Sequence, residues 1–303
     1  MTVCLASFSR EGFIVGASDR MVTYDGITFE PPISKIWLLT PTIVIMTSGD
    51  SALQAETLNL LEENIANIQP LSVKKVVDLY VECRNSIIRY RSQNAILEKF
   101  GLTHQDFLST QKNMNFEFVN EITREIMAYK APVTGAIITG LSDNKPWLYT
   151  IHENKTVDCM KVGYACIGSG GRHARLQLML AGHSRVSSLS ETLLLIYIAK
   201  KRSEISTGVG SDTDMFVMGP NFTLLNKAEI DKLQLEFKKI SQKEKKALKK
   251  SFSNMENYVN KIIQESKESK TQDLSSKQDL KKSMTKKIKR KISQELMAEQ
   301  NNN

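Results

Sequence analysis

Apolar and polar positions along the chain form short strand-like stretches, then longer stretches at helical spacing, then both again. Residues 2–8 (TVCLASF) and 12–18 (GFIVGAS) are rich in Val, Ile, Phe and small residues and predict two strands; 35–39 and 42–47 predict two more around the turn Thr40-Pro41. From 51 to 68 the residues Leu53, Leu58, Leu61 and Ile65 recur at helical spacing, and helical patterns also cover about 72–97 and 116–129. Strand patterns return at 133–141 and 146–152, with shorter ones near 157–160 and 164–167. Helices at about 172–181 and 189–203 and a strand at 215–219 follow. Strand clusters alternating with helix pairs, with no strand–helix–strand repeat, predict an α+β protein. Two antiparallel sheets covered by helix layers fit this order better than a doubly wound parallel sheet.

Beyond residue 226 the pattern changes. All glycines and prolines lie before Asn221. One apolar seam holds Ile230, Leu233, Phe237 and Ile240, and a second holds Leu248, Phe252, Met255, Val259 and Ile262. Residues 265–283 turn to Lys, Ser, Gln and Asp, as in a solvated linker, and KKIKRKISQEL then predicts a short amphipathic helix through Ile288, Ile292 and Leu296. Charge shifts at the same place: residues 227–303 hold 20 Lys or Arg against 11 Asp or Glu, leaving 21 against 22 in residues 1–226. The net charge of +8 therefore belongs to a tail, and the body is electrically neutral. The expected organisation is a domain over 1–226, with a helical segment at about 72–129, followed by a Lys-rich, helical and partly disordered tail over 227–303.

No apolar run approaches the roughly 20 residues of a membrane span, and residues 1–12 lack a signal-peptide pattern. Cys4, Cys83, Cys159 and Cys166 form no CxxC pair and no zinc spacing, so we expect reduced, buried thiols in a cytoplasmic protein with no metal or cofactor.

The sequence has no GxSxG, Walker loop, HExxH or GxGxxG. His104, His152, His173 and His183 stand alone, which leaves little for a Ser-His-Asp or metal mechanism. The N-terminus offers other chemistry. Thr2 is small enough for methionine removal, after which it would carry a hydroxyl nucleophile and an amine base on adjacent carbons. An α-amine has a pKa of about 7.7–8.0, so part of it is unprotonated at neutral pH and can take the hydroxyl proton.

Three segments give this possibility its context: GFIVGASDRMVTYDGITFEPPISKIWLL, IVIMTSGDSALQAE and ACIGSGGRHARLQLM. Together they resemble the proteasome β-type subunit family of N-terminal-nucleophile hydrolases, and more closely its small bacterial proteasome-like members, over about residues 2–219. The resemblance implies a four-layer αββα sandwich, two antiparallel sheets between helix layers. It puts Thr2 on the nucleophile, Asp19 (in Ala17-Ser18-Asp19-Arg20) on the acidic residue and Lys35 on the lysine beneath the threonine. Gly49 falls on the glycine whose N–H helps bind the oxyanion, and Ser169 and Gly170 fall on the pair beside the amine. Glu204 is the choice for a further acid near the last helix–strand junction, with Asp212 as its rival. Thr47 falls at the base of the pocket for the residue before the cut. Met21 stands where many members have arginine, and the serine that accompanies the further acid has no clear equivalent. The expectation is that no propeptide precedes Thr2 and that activation comes from methionine removal.

In physical terms, a charged Lys35 favours the deprotonated forms of the amine and hydroxyl, Asp19 keeps it charged and oriented, and Gly49 admits the oxyanion closely. The resemblance further implies hydrolysis of peptide or protein substrates inside a homo-oligomeric ring or stack, and leaves room for an unfoldase partner. Two other activities fit the same residues: hydrolysis of small amides, and a catalytically silent ring-forming subunit. The tail's lysine clusters, Lys245, Lys246, Lys249 and Lys250 and those within 286–291, are of a kind that contacts phosphates or acidic membranes. Scarce aromatics and interleaved glutamates favour a solvated helix instead, so neither nucleic acid nor membrane is the expected partner.

Overall fold

A computed structural model describes residues 2–24, 27–66 and 68–300, without the side chains of Tyr24, 267–279, 286 and 288–300. Met1, whose removal is expected above, and the side chains of Ile288, Ile292, Leu296 and the 286–291 basic cluster other than Lys287 lie outside the described residues.

The chain opens with β1 (Cys4–Phe8), β2 (Ile14–Ser18), the hairpin β3 (Val22–Tyr24) and β4 (Ile27–Phe29), then β5 (Ile36–Thr40) and β6 (Ile43–Gly49). Helices α1 (Ser51–Ile65), α2 (Val73–Leu97), α3 (His104–Thr110) and α4 (Phe116–Ala128) follow. Next come β7 (Thr134–Ser142), β8 (Lys145–His152), β9 (Lys155–Asp158) and β10 (Tyr164–Ile167). Helices α5 (Gly171–Leu180) and α6 (Leu189–Ser203), strands β11 (Asp214–Met218) and β12 (Phe222–Leu224), and helix α7 (Lys227–Gln300) complete the order. The architecture is mixed α+β with two five-stranded antiparallel sheets, ordered β10-β1-β2-β11-β12 and β5-β6-β7-β8-β9.

Strand alternation explains why β1 and β6 read as nearly continuous apolar runs: both faces are covered. Cys4, Ala6 and Phe8 point one way, into a cluster with Val44, Met46, Ile137 and Leu148 of the other sheet. Val3 and Leu5 point the other way and pack with Ala174, Leu178, Ile196 and Ala199 of α5 and α6. On the second sheet Ile43 and Ile45 turn to Leu58, Leu61, Val76 and Tyr80 of α1 and α2. The helical segment carries a small core of its own, Ile96, Leu97, Phe107 and Ile122. Local chemistry sets the element ends: Asp50 caps α1 by accepting from Leu53 N at 2.7 Å, and Ser188 with Glu191 forms a capping box on α6. Asp143 and Asn144, at φ 53° and 56°, make the tight two-residue turn between β7 and β8.

The β3–β4 hairpin, α3 and β12 escape the sequence pattern because each is short and β4 is fully exposed, leaving no alternation to read. The compact unit runs through Phe237, because Ile230, Leu233 and Phe237 pack with the α5–α6 cluster. Residues 238–303 form a second unit, and its backbone is helical through 265–283, where composition suggests a linker. No described helix is long and apolar enough to cross a membrane.

One buried group away from the strand ends makes stability depend on pH. Ser7 Oγ donates to Gly163 O at 2.8 Å and meets His183 Nε2 at 2.6 Å, while His183 Nδ1 is buried with no partner among the described residues. The serine has a single proton, and with it on Gly163 O, Nε2 is the protonated nitrogen and a proton on Nδ1 would be a buried, unpaired charge. Burial pushes the imidazole below its usual value of 6.5, with a smaller opposing pull from Glu191. Above that value the histidine is neutral in both states. As pH falls below it, the unfolded chain takes up a proton that the folded chain refuses, so stability declines. Urea midpoints are expected to fall between pH 7 and pH 5, with a shallower slope in His183→Asn; equal slopes would contradict this assignment.

Candidate active site

Antiparallel pairing sets the start of one strand beside the end of the next, and that geometry gathers residues far apart in sequence. Cys4 lies opposite both Ser18 and Ile167, and Ile36 lies opposite Met46. Thr2 leads into β1, Asp19 follows β2, Lys35 precedes β5, Gly49 ends β6, and Ser169 and Gly170 join β10 to α5.

Lys35 sits at the centre of this group. Its Nζ donates to Thr2 Oγ1 at 2.6 Å, to Asp19 Oδ1 at 2.9 Å and to Met21 O at 2.5 Å. An ammonium has three N–H bonds and no lone pair, and here each N–H has an acceptor. Toward the Thr2 hydroxyl the lysine is a donor, an arrangement suited to supporting negative charge on Oγ1 and not to taking its proton.

Asp19 is fully buried, with its acceptor capacity filled. Oδ1 accepts from Val3 N at 2.9 Å besides Lys35, and Oδ2 accepts from Met21 N at 3.2 Å and Gly210 N at 3.0 Å. A buried carboxylate met by four donors, one of them the Lys35 Nζ, is held in one orientation.

Thr2 is held from the other side. Its N donates to Ser169 Oγ at 3.2 Å, and its carbonyl accepts from Gly170 N at 3.1 Å and from Ser169 Oγ at 3.4 Å. This close approach explains Gly168, which has φ +84° and where a Cβ would lie 2.2 Å from Thr2 O. Gly49 has the same character: φ is +99°, and a Cβ would lie 2.1 Å from Val133 O. Beside them Cys4 Sγ donates to Thr47 O at 3.4 Å, tying β1 to β6, and burial pushes its thiol far up, so it is an inert neutral group.

Among the described residues neither candidate for the further acid bonds to Ser169. Glu204, at the C-terminal end of α6, pairs with Lys200 at 2.7 Å and Lys201 at 2.6 Å. Asp212 lies in the next loop, where its N–H donates to Glu30 Oε1 at 3.1 Å. The lysines immediately before Glu204 draw its carboxylate along its own helix, and among the described residues Ser169 bonds to Thr2 alone. Arg20 is occupied by Asp214, with Nη2 at 2.6 Å from Oδ1 and Nε at 3.1 Å from both oxygens.

Sequence reasoning missed Met21 O and Gly210 N because backbone groups carry no residue signature. It also missed Lys200, which inside the run Lys200-Lys201-Arg202 looks like surface charge yet is fully buried. Among the described residues no three His, Cys, Asp or Glu side chains gather to hold a metal. No family model matches the chain, and no curated protein matches it.

Proposed function

We propose that the chain is a threonine-type peptidase or amidohydrolase related to the proteasome β-type subunits, with Thr2 as nucleophile once residue 1 is removed, in the cytoplasm. The packing of α1–α2 and α5–α6 on opposite sheets is what an αββα sandwich of this class requires. The observation that carries the reading is Lys35 Nζ at 2.6 Å from Thr2 Oγ1 with its other two donors committed to Asp19 and Met21 O.

In the proposed reaction Thr2 Oγ1 attacks the carbonyl carbon of the scissile amide while the α-amine of Thr2 accepts the hydroxyl proton. Lys35 stabilises the developing alkoxide, and the Gly49 N–H is assigned to the oxyanion. Collapse breaks the C–N bond, the amine delivers its proton to the leaving nitrogen, and an ester remains on Oγ1. A water deprotonated by the same amine cleaves that ester and restores the hydroxyl. Peptide or protein substrates, enclosure in a homo-oligomeric ring or stack, and a partner unfoldase belong to this proposal. The four buried free thiols fit a reducing compartment.

Hydrolysis of fluorogenic peptide amides tests it. The methionine-free protein should cleave them and protein that retains Met1 should not; equal cleavage by both would refute the amine's role. One observation favours a second reading, a silent ring-forming subunit: Ser169 has no carboxylate among its described partners. That reading predicts an assembled, methionine-free protein without hydrolysis.

A further inference from the structure

Lys200, in the last turn of α6, is fully buried, which is rare for a lysine. Its Nζ donates to Glu204 Oε1 at 2.7 Å, Gly210 O at 2.9 Å and Ser211 O at 3.0 Å, so a second ammonium in this molecule has all three N–H bonds matched to acceptors. None of these acceptors belongs to Thr2, Lys35 or Asp19. Two of them are consecutive carbonyls of one loop, and that loop supplies the Gly210 N–H that reaches Asp19 Oδ2 at 3.0 Å.

The same loop is held on its far side. Glu30 accepts from Asp212 N and from Ser211 Oγ, each at 3.1 Å, and it lies so close to Gly210 that a Cβ there would fall 1.7 Å from Glu30 Oε1. Gly210 to Asp212 is thus clamped between a buried cation and a carboxylate. An apolar side chain could fill the space of Lys200 at less desolvation cost, but it could not bind two carbonyls. Burial pushes Lys200 below the usual lysine range, Glu204 pushes it back, Lys201 opposes that, and Asp19 adds the smallest upward pull.

We propose that Lys200 is a positioning residue for the Thr2 site: by holding the carbonyls of Gly210 and Ser211 it fixes the Gly210 N–H on Asp19 Oδ2, which leaves Oδ1 aimed at Lys35. Its consequence for reactivity rests on Thr2 being the nucleophile; its consequence for the Gly210 N–H does not.

The test uses the full, methionine-free chain, Lys200→Met, and Lys201→Met as the same substitution one residue on. Amide exchange at Gly210, thermal unfolding, and the rate of addition of a peptide epoxyketone to Thr2 from pH 6 to pH 9 are measured on each. In the unsubstituted protein Gly210 should exchange as slowly as the amides of β2. Lys200→Met should release that protection and slow addition at pH 7 by about 10- to 100-fold. With one positive charge lost, the rise of rate with pH should move to higher pH. Lys201→Met, which removes a contact to Glu204 and a longer one, 3.5 Å, to Ser211 O but none to Gly210 O, should change both far less.

A Lys200→Met protein that melts earlier but keeps the pH profile and the Gly210 protection would make the lysine merely structural and overturn the proposal. So would equal effects from Lys201→Met. If Lys200→Met does not fold, rapid exchange of Gly210 in the unsubstituted protein overturns it and slow exchange upholds the clamp. Failure of the unsubstituted protein to add the epoxyketone would count against Thr2 as nucleophile, with Gly210 exchange still deciding the clamp.

Discussion

Lys35→Met is expected to leave a folded protein with almost no reactivity at Thr2. Methionine fills much the same volume but removes the donor 2.6 Å from Thr2 Oγ1 together with its charge. Loss of a single uncharged donor to a developing oxyanion typically costs 10²–10³-fold. Here a full charge goes, so the rate of peptide amide hydrolysis should fall by about 10³-fold or more. The fold should survive because Asp19 keeps three backbone donors, Val3 N, Met21 N and Gly210 N. The buried carboxylate nonetheless loses its countercharge, and unfolding should move down by several degrees. Circular dichroism melts beside steady-state rates separate the two effects. A variant that hydrolyses within tenfold of the unsubstituted rate would remove Lys35 from the chemistry.

Asp19→Asn should give the largest loss of stability in the molecule. All four acceptor positions of the carboxylate face donors: Val3 N and Lys35 Nζ on Oδ1, Met21 N and Gly210 N on Oδ2. An asparagine has one carbonyl oxygen and one NH₂, so either amide orientation sets two donors against a donor in a fully buried place. Lys35, 13% exposed, is left without its carboxylate. Breaking a buried ion pair from one side costs about 3–5 kcal/mol, and the misplaced amide adds to it. For a unit of this size that is a fall in Tm on the order of 10 °C. Asp19→Asn should also lose hydrolysis, since Lys35 is then free to leave Thr2. A Tm within 2 °C of the unsubstituted protein, a margin of roughly 1 kcal/mol, would show that Asp19 is protonated or differently bonded in solution.

How far the sequence reveals this arrangement depends on the kind of group involved. Thr2, Asp19, Lys35, Ser169 and Gly170 are legible through the resemblance of three segments to a known family; each also lies where a strand pattern starts or stops, and antiparallel pairing brings such ends together. Gly49 is legible as a glycine in the turn between a strand and a capped helix, although its φ of +99° is known only from the backbone. The inner strands β1, β2, β6 and β7 can be read because burial on both faces makes them apolar runs. The β3–β4 hairpin is hidden by its exposure, and the helix over 265–283 by a composition that resembles a linker. For Glu204, one residue type in the right region says nothing about competing partners: Lys200 and Lys201, four and three residues before it, pair with its carboxylate. Lys200 itself is invisible to composition, although its spacing from Thr192 and Ile196 sets it on the buried face of α6.

The central claim is that a single residue supplies both attacking group and proton acceptor, and the product of methionine-free protein with a peptide epoxyketone tests it most directly. The hydroxyl should add to the ketone and the amine should open the epoxide, closing a ring on Thr2 with no leaving group. The intact mass should rise by the whole mass of the probe, and fragmentation should place both new bonds on Thr2. Absence of an adduct, or an adduct through the hydroxyl alone or at another residue, would contradict the account.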